Sequence, residues 1–233
     1  RTLNASLLDY FDVAPVVPEK VQTLETGYRT TLFDNTYLDL SYYYSVYRDF
    51  LGFKIGIDAD LDPQTGFPTR LQPYRVAANA DKVVTTQGVS AGINYYFRNY
   101  YMLNGNYSFN RLNSDRDADR IIPAFNTPEH KFNIGLSGRA IPLNKGINRL
   151  LFGFNINYKW IEGFIFEGSP QFTGAIPSYD LLDAQVNLHY PRRHTTFKLG
   201  ASNVLDNRQF QTYGGPRIGR LAYISVVYDW FKK

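Results

Sequence analysis

One pattern constrains this chain more than any other: apolar and polar side chains alternate over runs of about ten residues, and the run recurs about nine times. In the segment LDLSYYYSV, Leu38, Leu40, Tyr42, Tyr44 and Val46 fall on one side, and Asp39, Ser41, Tyr43 and Ser45 on the other. A β-strand sends successive side chains to opposite faces, so this spacing builds one apolar wall and one polar wall. A helix would scatter Asp39 and Ser41 among the apolar residues. The pattern repeats at 131–140, 150–160 and 182–190. In 150–160, Leu150, Phe152, Phe154, Ile156, Tyr158 and Trp160 oppose Gly153, Asn155, Asn157 and Lys159. Noisier versions cover 20–32, 84–97, 100–110, 195–204 and 220–230, so nine strands are expected.

The connections alternate in length. Short turns are expected at Asp34-Asn35, Arg98-Asn99, Pro142 to Gly146 and Pro191 to His194, and long polar segments at 55–82, 112–129, 164–178 and 205–218. Outer-membrane barrels have short periplasmic turns and long extracellular loops, whereas a soluble β-sandwich has no reason to sort its loops by parity. No stretch approaches 18 consecutive apolar residues, which excludes a transmembrane helix but not a barrel strand that shows lipid every second residue.

Composition agrees with that class. The 233 residues include 19 Tyr, 17 Phe and 2 Trp, 16% of the chain. Several rings flank the short turns: Tyr95, Phe97, Tyr100 and Tyr101 at one, Phe33 and Tyr37 at another, Tyr190 at a third. Trp230 and Phe231 lie at the last strand. Rings gathered at one level form the girdle that sits among lipid headgroups. Without Cys there is neither a disulfide scaffold nor a thiolate metal site. The 25 basic residues are scattered among 21 acidic ones, which argues against nucleic acid.

The apolar set is too bulky to fill a small closed barrel, so the inverted arrangement is expected, with apolar residues toward lipid and polar ones toward a wet lumen. The fold class is therefore all-β, a transmembrane antiparallel up-and-down β-barrel. An odd strand count and a wet inner wall suit a piece of a wider barrel. Residues 1–8 carry no signal-peptide pattern, so the chain is expected to be mature or truncated.

Two segments resemble a known family. Pro18-Glu19-Lys20-Val21 followed by Thr23-Leu24-Glu25-Thr26-Gly27-Tyr28 resembles the "PE-(K/R)-V … E-x-G-Y" segment of TonB-dependent receptor barrels. Residues 199–207, LGASNVLDN, look like that family's penultimate strand, and GGPRIGR at 214–220 leads into a last strand ending VYDWF. The wording is most similar to receptors of the Bacteroidetes type. The resemblance implies a 22-stranded barrel occluded by an N-terminal plug, of which residues 1–233 are the C-terminal part, with the plug and earlier strands absent. It implies residence in the outer membrane of a Gram-negative bacterium. It also implies energised import of a siderophore, saccharide, peptide or similar ligand. The partners it implies are outer-membrane lipid and lipopolysaccharide, the plug and the TonB complex, and a surface lipoprotein. A passive channel, or a barrel serving secretion or assembly, stays open as an alternative.

The polar wall supplies the candidate lumen-lining residues: Glu25, Arg29, Asp39, Asn94, Asn104, Asn106, Asn155, Asn157, Lys159, Asp183, Gln185, Asn187 and Lys198. Loop aromatics Phe67, Tyr74, Phe125, Phe172 and Tyr213 are candidate ligand contacts, since loops on a rigid scaffold carry recognition. The runs Asp58-x-Asp60-x-Asp62 and Asp115-x-Asp117-x-Asp119 invite calcium. However, the first has Pro63 and Thr69, and the second Arg120 and Asn126, where an EF-type loop needs Gly and Glu. Solvated carboxylates pairing with Arg70, Arg116 or Arg120 are expected instead. His130, His189 and His194 show no metal-ligand spacing, no G-x-S-x-G elbow occurs, and neither cofactor nor catalysis is expected.

Overall fold

The computed structural model describes residues 14–113, 126–146, 149–168 and 173–230. Among these described residues thirteen strands form: β1 (Lys20–Leu32), β2 (Thr36–Arg48), β3 (Leu51–Leu61), β4 (Pro68–Asn79), β5 (Val84–Phe97), β6 (Tyr101–Leu112), β7 (His130–Pro142), β8 (Leu151–Ile161), β9 (Phe164–Glu167), β10 (Thr173–Ile176), β11 (Tyr179–Tyr190), β12 (Thr195–Ser202) and β13 (Leu221–Tyr228). Nine of them make one sheet in the order β1-β2-β5-β6-β7-β8-β11-β12-β13. These are the nine segments expected from alternation, each strand joined to its sequence neighbour once the two inserted hairpins are set aside. The hairpins, β3–β4 and β9–β10, occupy segments expected to be long polar loops.

The short turns follow from backbone geometry. Phe33 and Asp34 both adopt positive φ (52° and 60°), as do Arg98 and Asn99 (50° and 60°). Two consecutive left-handed residues match the right-handed twist of flanking strands, which is why such turns close hairpins. The first turn is thus centred one residue earlier than Asp34-Asn35. Pro191–Arg193 forms a single 3-10 turn, ended by His194 in the left-handed region (φ 49°).

The chain divides into two compact units, residues 1–24, 44–87 and 111–125, and residues 25–43, 88–110 and 126–233. The first contains hairpin β3–β4, in register from Leu51↔Asn79 to Asp60↔Arg70 with an irregularity at Asp60/Leu61. Val76, Ala78, Ala80 and Val84 are its buried cluster, with Tyr47, Phe50 and Leu112 packed against it. The Asn79 side chain ties the hairpin base down: its Nδ2 donates to the carbonyls of Asp49 (2.6 Å) and Val17 (2.9 Å), and its Oδ1 accepts from the Val17 amide (2.8 Å). Asp62 shapes the tip by accepting from the amides of Gln64 (2.7 Å) and Thr65 (3.0 Å), which hold its carboxyl below the ordinary 3.8.

The second unit carries the antiparallel ladder. Apolar residues meet apolar ones strand after strand: Leu103↔Leu136↔Ile156↔Ala184↔Ala201↔Ala222, and Gly138↔Phe154↔Val186↔Leu199↔Ile224. On the other face Gly88 lies beneath the ring of Tyr43, whose hydroxyl donates to Asn110 Oδ1 at 3.1 Å. A Cβ on Gly88 would meet that ring, and the Phe109 carbonyl oxygen at 2.8 Å. Gly27 has its nearest neighbour, the Leu40 carbonyl oxygen, at 3.4 Å. Gly88→Ala is therefore expected to cost about 1–3 kcal/mol by overpacking, with Gly27→Ala much nearer neutral. Urea unfolding in detergent micelles measures both, and equal costs would show that the Tyr43–Gly88 contact does not constrain the sheet.

Candidate functional site

The polar wall is built by register. Asn104 pairs with Gly135 and Asn106 with Asn133. Asn155 pairs with Ser137 and Gln185, Asn157 with Gly135 and Asp183, and Lys159 with Asn133. Asn187 pairs with Lys198, and Lys198 with Ser225. Glycines alternate with the longer polar chains: Asn104 and Asn157 lie over Gly135, Asn187 over Gly153, and Tyr223 over Gly200. Direct links then lock the surface. Lys159 Nζ meets Asp183 Oδ2 at 3.1 Å, Tyr223 donates to Gln185 Oε1 at 2.7 Å, and Asn133 Nδ2 donates to Asn157 Oδ1 at 3.4 Å. Toward β1, Arg29 Nε meets Asp39 Oδ2 at 2.9 Å and Ser41 shares a 2.6 Å hydrogen bond with Ser90. Strand alternation sets Glu25 beside Arg29 on β1 and Asn94 beyond Gly92 on β5. All thirteen residues expected on the polar wall thus share one face.

The opposite face carries two bands of rings. Near the short turns, Tyr95 stacks on Phe97 (5.6 Å), Phe97 on Tyr101 (5.4 Å), and Tyr101 approaches Phe154 (6.3 Å). Near the long loops, Phe132 stacks on Trp160 (5.6 Å) and Phe109 meets His130 (5.1 Å). Between the bands lie aliphatic residues, with Ile134 53%, Ile156 44% and Val186 43% exposed. From Phe152 to Trp160 the strand rises about 26 Å at roughly 3.3 Å per residue.

At the long-loop end, Asn203 organises residues 203–220. It is 6% exposed and holds φ 50°, a conformation Asn tolerates better than most residues. Its amide donates to Asp183 Oδ1 (3.0 Å), its Nδ2 to the carbonyls of Asn207 (3.0 Å) and Ile218 (3.3 Å), and its Oδ1 accepts from the Asn207 amide (2.9 Å). Asn207 Nδ2 reaches the Asp180 carbonyl (3.0 Å), and Asp206 accepts from the Arg220 amide (2.8 Å). That amide, then Arg208 at 3.1 Å, hold the Asp206 carboxyl below its ordinary value. Farther out, Arg217 covers the Phe210 ring at 4.4 Å.

Tyr213 lies against Gly174 of β10, joining the last long loop to hairpin β9–β10. Phe67 is 73% exposed at the β3–β4 tip. Tyr74 falls within β4, while Phe125 and Phe172 lie outside the described residues. Of the acidic runs, Asp60 lies 3.8 Å from Arg70, Asp62 serves the turn, and 115–119 lies outside the described residues. His189 Nδ1 is 2.9 Å from Thr196 Oγ1. His130, beside Glu129 in sequence, acquires in Glu162 a neighbour that spacing does not show: among the described residues, Glu129, His130 and Glu162 form one group whose ligand atoms lie within 4.8 Å of one another.

The sheet and its two faces can now be compared with known proteins. The family described as TonB dependent receptor-like, beta-barrel matches residues 5–204. The chain belongs to that family. Members of the TonB-dependent receptor family are outer-membrane receptors and transporters of Gram-negative bacteria rather than enzymes. Structurally this receptor barrel is similar to "Copper transporter OprC" (TM-score 0.66, 15% identity, covering 91% of this chain and 31% of that one). It is similar to the FrpB iron transporter from Neisseria meningitidis (0.62, 14%, 93% and 31%) and the ferric-catecholate import receptor Fiu from K12 E. coli (0.59, 14%, 97% and 29%). At these identities the likeness is one of fold. The chain spans less than a third of each of these relatives. No curated protein sequence matches it.

Two outcomes are expected for the Asn203 loop. Asn203→Ala and Asn203→Gly both remove the side-chain bonds, and each is expected to cost about 1–3 kcal/mol, seen as faster hydrogen exchange over 204–220. Full recovery with Gly would instead assign the role to backbone conformation. For Asp206, the lowered carboxyl means its contribution is fully present above 3.8 and lost as pH falls through the lower folded value. The Arg220 amide shift should titrate with a midpoint below 3.8, and a midpoint at or above it contradicts the contact.

Proposed function

We propose that this chain is the C-terminal part of a 22-stranded outer-membrane barrel whose complete receptor imports a ligand at the expense of TonB-transmitted energy. The observation that carries this reading is the opposition of the two faces. An aliphatic zone bounded by two ring bands suits a hydrocarbon slab about 25 Å deep with its interfacial girdles. A continuous amide, hydroxyl and ion-pair surface suits water. Among the described residues β1 and β13 are the edges of the sheet, and further strands beside them would satisfy the rows of N–H and C=O groups that cannot face lipid unpaired.

In this reading Asn104, Asn106, Asn155, Asn157 and Asn187 line the lumen with neutral donors and acceptors, against which a plug can be held and then slide. The Lys159–Asp183 and Arg29–Asp39 pairs add charge without leaving it uncompensated. Ligand capture falls to the long loops, where Tyr213 and the Arg217–Phe210 pair offer stacking surfaces and a cation. That set suits an anionic or aromatic ligand such as a ferric siderophore, with saccharides and peptides within reach of the same chemistry. Lipopolysaccharide packs against the upper ring band, and a surface lipoprotein can seat on the loops.

Facing is tested by two adjacent substitutions. Ile156→Arg places a charge on the apolar face and is expected to lower barrel stability by about 2–4 kcal/mol near the midplane. Its outer-membrane recovery and heat-modifiable migration in detergent gels should fall with it. Asn157→Arg, on the polar face, should assemble nearly as wild type. Equal tolerance of both would overturn the assignment of lipid to the Ile156 face. Loss of ligand uptake, with retained ligand binding, in cells lacking TonB would separate energised import from a passive channel.

A further inference from the structure

We propose that Glu129, His130 and Glu162 form a binding site for a zinc-class divalent ion, at the long-loop end of β7 and β8. Glu129 and His130 come from one side of a strand pair and Glu162 from the other, 32 positions beyond His130, and the backbone brings them together. The Glu162 amide donates to the His130 carbonyl at 3.0 Å, and the Asn110 amide to the Glu129 carbonyl at 2.9 Å. The last rungs of the β6–β7–β8 ladder therefore hold both ligand-bearing segments. The His130 amide in turn donates to Glu162 Oε2 at 2.9 Å, which turns that carboxylate toward the imidazole. One ligand atom from each residue then lies within 4.8 Å of the other two.

The imidazole is positioned as well as present. His130 Nδ1 lies 2.6 Å from the Tyr107 hydroxyl, and its ring packs 5.1 Å from Phe109 and 6.0 Å from Tyr107. A hydrogen bond to one ring nitrogen, with rings fixing the plane, is the usual support for a metal-binding histidine. One imidazole and two carboxylates leave a fourth position open to water or an external ligand. The nitrogen donor favours zinc and its neighbours over magnesium or calcium, which prefer all-oxygen shells. Bound, the ion would cross-link the ends of β7 and β8 at the root of the loop leading into β7.

The test uses the full chain, extracted in detergent and stripped with a chelator, titrated with zinc by calorimetry at neutral pH. One equivalent should bind. His130→Ala and Glu162→Gln should each weaken it by at least about tenfold, whereas His189→Ala should leave it unchanged. Glu162→Gln keeps an oxygen acceptor for the His130 amide, so unchanged heat-modifiable migration in that variant separates lost ligation from lost structure. Tyr107→Phe should weaken zinc by about 10- to 100-fold through the ring's orientation. Absence of a one-equivalent site, full affinity in His130→Ala or Glu162→Gln, or displacement of zinc by equimolar magnesium or calcium would each overturn the proposal.

Discussion

Alternate side chains of a strand face opposite ways, and in the second unit the two faces demand opposite solvents. Leu136, Ile156, Val186 and Leu199 stand on one side, with Ser137, Asn157, Gln185 and Lys198 on the other, in register across neighbouring strands. A one-residue slip in any pairing would exchange the two sets. The glycines narrow the choice further. Gly135, Gly153 and Gly200 sit under Asn104 and Asn157, Asn187, and Tyr223, so a shifted strand would drive a side chain into the space these residues occupy. The same constraint fixes both the surface a hydrocarbon can wet and the surface water must wet.

The loops depend on that sheet for their positions. Asn203 follows directly on β12, and its amide is held by Asp183, a polar-wall residue of β11 that also pairs with Lys159. One carboxylate thus links the wall to the loop that carries Phe210, Tyr213 and Arg217. The physical consequence is that the aromatic and cationic groups at the loop end sit on a short chain of hydrogen bonds rooted in the strands, rather than on a free segment.

Much of this was legible because period two survives in sequence. All nine sheet strands follow from alternation, and the polar-wall residues follow from the parity of each run. Hairpin β3–β4 was hidden by composition: Asp58, Asp60, Asp62, Pro63 and Gly66 read as loop residues, although Phe53, Ile55, Ile57, Ala59 and Leu61 keep the strand period. The four-residue strands β9 and β10 are too short to show a period at all. The LGASNVLDN motif marks a family resemblance in sequence, but its work as a loop clasp rests on Asp180, Asp183 and Ile218, which spacing does not connect to it.

Partners brought together by pairing are the class of feature that sequence spacing hides most completely. Glu162 belongs to the apolar parity of β8, in line with Tyr158 and Trp160, and His130 to the apolar parity of β7, in line with Phe132 and Ile134. Ionisable residues with that parity would be costly midway along the strands. They occur instead at the ring band near the long loops, toward the strand ends, where the cost of a charge falls to about 0–1 kcal/mol. The membrane reading therefore explains why these groups are tolerated there, but not why an imidazole and two carboxylates converge. Carboxylates that merely solvated the rim would gain by spreading apart. The ladder instead draws Glu162 back onto the His130 amide and holds the Glu129 backbone through its carbonyl, which brings one imidazole and two carboxylates to the same rung.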